Sequence, residues 1–158
     1  MSIFEKYTSK IDAAELAASQ KEINENTSSG DYKEVPLGTY EVEVSKLECK
    51  YSKGGNPMVS IWFKILEGEY ENSLVFYNGV FTEDWMRHRV VKMLSSLLND
   101  ISHEAEINLI LKSGKVNEIN NFCMDIHEEI DGKFEYLLDY GQNKGYNTYN
   151  IKEVYTLD

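Results

Sequence analysis

Cys123 and His127 stand four residues apart in Asn121-Phe122-Cys123-Met124-Asp125-Ile126-His127-Glu128, with two carboxylates beside them. On a helix that spacing puts thiol and imidazole on one face, the first requirement of a metal site. Cys123 also belongs to an apolar series, Val116, Ile119, Phe122, Cys123, Ile126 and Ile130, and no further ligands cluster nearby. A core thiol beside a surface histidine is the reading that fits both facts. His127-Glu128-Glu129 lacks the second histidine of His-Glu-x-x-His, and Gly54-Gly55 is followed by Asn-Pro rather than Lys-Ser or Lys-Thr. There is no Gly-x-Ser-x-Gly elbow. His88 and His103 are isolated, and the 27 Asp and Glu form no pattern that would raise a carboxyl pKa. We expect no enzyme, no cofactor and no metal.

The residues that do stand out are aromatic and basic. Eleven tyrosines and two tryptophans exceed what a core needs, and lysines gather beside some of them: Lys46, Lys50, Lys53 and Lys64, with Arg87, Arg89 and Lys92 further on and Lys144 near the end. Rings stack on bases while lysine and arginine follow phosphates, which is the chemistry of single-stranded nucleic-acid binding. The expected contacts are Trp62, Lys64 and Tyr77 on the strands, Lys50, Tyr51 and Lys53 around the first turn, and Lys144 and Tyr146 at the last. Trp62 could equally cover the body or a subunit contact, and the lysines and arginines could be solvated faces.

These side chains need elements to hold them. Residues 1–35 read as an N-terminal helical or flexible segment: Ile11, Ala14, Leu16, Ala17 and Ile23 form a weak helical stripe, and a polar linker follows. The body, 36–158, starts with an alternating strand in which Tyr40, Val42 and Val44 share a face. The apolar phase then slips to Leu47, Cys49 and Tyr51, so a bulge near Ser45-Lys46 is expected. Ser52-Lys53-Gly54-Gly55-Asn56-Pro57 turns the chain into a strand over Met58–Leu66, and a third covers Ser73–Phe81. Pairing Ile65 with Leu74 and Phe63 with Phe76 would set Trp62 opposite Tyr77, away from the core. Thr82 is placed to cap a helix with the stripe Met86, Val90, Met93, Leu94, Leu97 and Leu98. An ambiguous piece follows, in which Ile107, Leu109 and Leu111 alternate like a strand; then a second helix runs from Val116 to Ile130 with Gly132 as its stop, and a hairpin closes the chain. The architecture expected is α+β, a five-stranded barrel of the oligonucleotide-binding (OB-fold) type with a helical connection between strands 3 and 4.

A chain of 158 residues and 18.2 kDa suits one domain with its own core. No apolar run approaches the ~20 residues of a membrane span, and two separated cysteines fit a reduced, cytoplasmic protein. The formal charge of −11 argues against a uniformly basic surface. It is unevenly spread: residues 36–64 carry four lysines against Glu41, Glu43 and Glu48, and residues 82–101 balance to zero. A locally cationic groove is therefore compatible with an acidic protein.

The stretches Met1-Ser2-Ile3-Phe4-Glu5-Lys6-Tyr7, Val35-Pro36-Leu37-Gly38-Thr39-Tyr40-Glu41-Val42, Gly55-Asn56-Pro57-Met58 and Phe63-Lys64-Ile65-Leu66-Glu67-Gly68-Glu69-Tyr70 resemble a family of phages and prophages of Gram-positive bacteria. That family was long catalogued as a domain of unknown function, and its members are taken to be single-stranded DNA-binding proteins. The resemblance implies sequence-nonspecific binding of single-stranded DNA in phage replication and recombination, in the cytoplasm of the host bacterial cell. The partners it implies are single-stranded DNA, phage replication and recombination proteins and a second copy of the chain in a homo-oligomer, with no membrane. The chain departs from the usual acidic, aromatic-tipped tail of bacterial single-stranded DNA-binding proteins, since Tyr155-Thr156-Leu157-Asp158 has one acidic side chain. The alternative from a different class is an acidic protein-interaction module or phage-encoded DNA mimic, which the net charge favours.

Overall fold

The computed structural model describes residues 34–157. The expected N-terminal helix lies outside them. Strands β1 (Gly38–Tyr51), β2 (Pro57–Ile65) and β3 (Leu74–Val80) come first. Helices α1 (Asp84–Leu98), α2 (Glu104–Lys112) and α3 (Val116–Ile130) follow, then β4 (Phe134–Asn143) and β5 (Tyr146–Thr156). All pairings are antiparallel, in the order β3-β2-β1-β4-β5. The class is α+β, as expected. Among the described residues no backbone ladder joins β3 to β5, so the sheet stops short of the closed barrel. One side-chain bond crosses the seam: the Tyr149 hydroxyl donates to the Phe76 carbonyl at 2.7 Å.

β1 holds the halves together. It pairs with β4 through Gly38–Val42 and with β2 from Val42 to Tyr51. The expected bulge is present at Ser45, where Val44 faces Phe63 and Lys46 faces Trp62. Its extra residue returns the apolar face to the core, so Val42 and Val44 before it and Leu47 and Cys49 after it are all buried. Beyond Val42 β1 has left β4, and α3 takes over its free edge. The Asn120 side-chain oxygen accepts the Cys49 N–H at 3.0 Å, and His127 Nε2 lies 3.1 Å from the Val44 carbonyl oxygen. Edge groups that would otherwise be buried without partners are thus satisfied by a helix.

Two expectations are corrected and one ambiguity is resolved. The β2–β3 register differs by one residue: Phe63 faces Val75, Trp62 faces Phe76 and Ile61 faces Tyr77. Leu74 and Phe76 are as apolar as Val75 and Tyr77, so hydrophobic pattern could not choose between the two registers. The turn chose. Asn72 at φ 70° lets its N–H reach the Ile65 carbonyl, and the Ile65 N–H bonds to Ser73, which sets the ladder. Second, the ambiguous segment is helical: residues 104–112 form α2. Ile107 and Leu111 are one helical turn apart and buried, whereas Leu109 is exposed. Third, Thr82 does not cap α1: Glu83 holds the N-cap position without a side-chain bond, and the Thr82 hydroxyl points to the Met86 sulfur.

α1 packs close to β3 because Gly79 has no side chain. A Cβ there would meet Val90 Cγ2 at 2.7 Å and the Tyr77 hydroxyl at 2.8 Å. Val90 is β-branched and held on a helix, so it cannot swing away cheaply. Gly79→Ala should destabilise the fold by about 1–3 kcal/mol, read as a lowered urea midpoint. Combining it with Val90→Ala should give less than the sum of the two losses, and full additivity would refute the contact.

Burial also sets the response to alkali. It pushes the Cys49 thiol up to about 11 and Cys123 to about 12 from an ordinary value of 9.0. It pushes Tyr77 to about 12 from 10.0 and raises Tyr136 and Tyr149 further. The unfolded chain therefore loses these protons before the folded one does. This contribution to stability is complete below pH 9 and declines as pH rises towards 12. The urea midpoint should fall steadily above about pH 9, and a flat profile to pH 11 would contradict the burial.

Candidate nucleic-acid interface

The bulge decides which β1 side chains face out. After Ser45 the outward positions are Lys46, Glu48 and Lys50, opposite Trp62, Ser60 and Met58 of β2. Before it Glu43 faces Lys64. Three lysines and two glutamates therefore surround one tryptophan on the sheet's outer face. Trp62 is half-buried, its ring edge-on to Phe76 at 5.4 Å between centroids, and Lys46 Nζ stands 4.6 Å from the ring centroid. That is a cation–π contact, in which the ammonium covers a ring face and must move aside for a base to stack there.

The lysines are internally compensated. Lys46 and Lys50 share Glu48 at 3.5 and 3.4 Å, and Lys64 lies 3.9 Å from Glu43. These pairs are solvent-exposed enough to contribute only about 0–1 kcal/mol each. A phosphate can therefore replace a glutamate at small cost, while the glutamates lower the attraction for a strand at a distance. The cluster carries a net charge of +1 by residue type.

Of the residues expected at the site, Lys50, Trp62 and Lys64 share this face, whereas Tyr51, 61% exposed at the end of β1, alternates with Leu47 and Cys49 on the other face. Lys53 lies in the following turn, which is tied by the Ser52 N–H to the Asn56 carbonyl at 2.7 Å and by the Asn56 N–H to the Ser52 hydroxyl at 3.1 Å. Tyr77 is not on this face. It points inward opposite Ile61, edge-on to Tyr149 at 5.2 Å, and burial keeps its hydroxyl protonated. Lys144 and Tyr146 are exposed but belong to the opposite end of β1. Lys144 and Gly145, both at positive φ, make the two-residue β4–β5 turn beyond the Gly38–Tyr140 pair. The two turns thus lie at opposite ends of β1, a 14-residue strand that bends at its bulge.

Lys46 and Phe76 were not among the expected contacts. Lys46 was legible from its i, i+2, i+4 relation to Glu48 and Lys50 once the bulge is placed. Phe76 was hidden by the register. Three buried polar atoms in this region, Ser60 Oγ, Asn78 Oδ1 and Trp62 Nε1, lack hydrogen-bond partners among the described residues. Ser60 and Asn78 are directly paired across β2 and β3, and Trp62 follows Ser60 on the same face. Cys123, by contrast, is buried in the core and His127 is turned to Val44, and no cluster of three or more His, Cys, Asp or Glu able to hold a metal occurs among the described residues.

A family model described as "Protein of unknown function (DUF669)" matches residues 21–105, just over half of the 158. The chain belongs to this DUF669 family. The matched part of the family includes β1 to β3 and α1, with Trp62 and its lysines, and ends before α3, β4 and β5. No curated protein matches the chain. Among the described residues no helix is long and apolar enough to cross a membrane.

The unpartnered hydroxyl generates a stability test. Ser60→Ala should leave the melting temperature unchanged or raise it, because no bond is lost and an unmet polar group is removed. Ser52→Ala, which removes the acceptor for the Asn56 N–H, should cost about 1 kcal/mol. Equal destabilisation by both would show that the Ser60 hydroxyl is satisfied.

Proposed function

We propose that the chain binds single-stranded DNA without reading its sequence, along the outer face of β1 and β2. The carrying observation is Trp62 with Lys46 over its ring and Lys50 and Lys64 on the same face. A base stacked on an indole contributes about 1–3 kcal/mol irrespective of its identity, and the lysines would exchange glutamate for phosphate. The connectivity supports this reading. A three-strand meander, a helical connection and a hairpin that returns to β1 match the partly open five-stranded OB barrel, in which the second and third strands and the 1–2 and 4–5 loops contact nucleic acid. The Tyr149–Phe76 bond would then stand at the barrel's seam. We place the activity in phage DNA replication and recombination in the host cytoplasm, where the protein would coat single strands and perform no catalysis.

The acidic face of α3 favours a second reading. Glu118, Asp125, Glu128 and Glu129 are all exposed there, an array suited to a basic protein partner. The two readings separate in one experiment. The intact protein should bind labelled oligo-dT at low salt, and binding should weaken as salt rises. Trp62→Ala should cost about 1–3 kcal/mol, and Lys64→Ala should reduce the salt slope by about 0.7. No binding of oligo-dT by the intact chain would overturn the proposal and leave the acidic-interaction reading, for which a stable complex with a basic host protein is the expected result.

A further inference from the structure

α1 turns a second aromatic outwards. Trp85 is 55% exposed, although a helix following β3 has ample core to enter: its neighbour Met86 is buried against Met58 and Val80. Arg89, one turn on, places its guanidinium carbon 5.9 Å from the Trp85 ring centroid. His88 and Lys92 are exposed on the same side, three and seven residues after Trp85. Arg89 and Lys92 have no carboxylate partner among the described residues, unlike the lysines around Trp62. Arg87, the other arginine of α1, is committed elsewhere, to Asp84 and to Asn108 of α2.

This helix face adjoins the outer sheet face. Lys50, Met58 and Val80 are successive partners across β1, β2 and β3, and Met86 packs at the end of that row. Trp85 lies about 100° round the helix from Met86. Met58, Val80 and Met86 are themselves buried, so α1 is joined to the sheet by packing at Met86, and Trp85 with its cations is exposed next to that contact.

We propose that the Trp85–Arg89–Lys92 face of α1 is a second subsite for the same single strand, Trp85 stacking a base while Arg89 and Lys92 hold the flanking phosphates. The inference rests on the single-strand reading and extends the strand's path from the sheet onto the helix. Its partner is fixed by charge complementarity: an exposed ring beside two cations with no carboxylate partner among the described residues matches a polyanion with stackable bases better than an apolar surface.

The full-length chain tests it with an oligo-dT of about 20 nucleotides, longer than the about 4–16 that one OB-type domain covers. Arg89→Gln/Lys92→Gln should lower the salt slope by about 1.4, two phosphates at ~0.7 each, with an unchanged thermal melt. Trp85→Ala should weaken binding roughly tenfold. In Trp62→Phe, where Trp85 is the one tryptophan left, saturating oligonucleotide should quench the emission. Wild-type binding with unaltered slope in the double variant and unquenched Trp85 emission would overturn the subsite while leaving the sheet-face reading intact. Absence of wild-type binding would overturn both.

Discussion

One extra residue in β1 carries most of the architecture. Without Ser45 the strand would either bury Lys46, Glu48 and Lys50 or turn Leu47 and Cys49 to solvent, since a one-residue slip exchanges the two faces. The bulge lets a single long strand keep an apolar inner face along its length. It also marks where β1 parts from β4 and passes to α3, whose Asn120 and His127 serve the free edge. The two halves of the sheet, and the helix under them, share this strand.

The same local event builds the candidate interface. Lys46 reaches Trp62 because the bulge sets the two residues opposite each other, and the Ser45 hydroxyl donates to the Trp62 carbonyl at 3.2 Å. Packing and surface chemistry are therefore coupled. A deletion that removed the bulge would lose core burial and disperse the lysine cluster together, so such a variant could not separate folding from binding. Side-chain replacements on the outer face are the cleaner probe.

Much of this was legible from spacing. The phase slip between Val44 and Leu47 located the bulge, the 3.6-residue stripes located α1 and α3, and Gly132 located the end of α3. What stayed hidden has a common cause: patterns that satisfy two structures equally. Leu74-Val75-Phe76-Tyr77 is apolar on both faces, so register depends on the Asn72 conformation, and hydrophobic pattern alone does not show that Tyr77 faces inward. Ile107 and Leu111 fit a strand alternation and an i, i+4 helix stripe alike, and the helix won because it buries both against the core while leaving Leu109 in solvent. Trp62 and Lys64 were placed by alternation within one strand, which needs no partner strand to be read. Lys144 and Tyr146 are expected at the site by analogy with barrel loops alone, and the structure puts their turn at the start of β1, away from the β1–β2 turn.

Charge acts at two ranges on this surface. At separations beyond a Debye length of about 8–10 Å, the acidic α3 and the glutamates beside the lysines oppose a polyanion, so the approach is not accelerated by steering. At contact the balance changes, because a weak surface ion pair is exchanged for a charge-assisted bond to phosphate while stacking on an uncharged ring is unaffected by net charge. Binding built this way would draw its affinity from rings more than from ions. The contrast between the compensated lysines of the sheet and Arg89 and Lys92 of α1, which have no carboxylate partner among the described residues, then has a physical consequence: salt would act more strongly on the helix end of the path than on the Trp62 end.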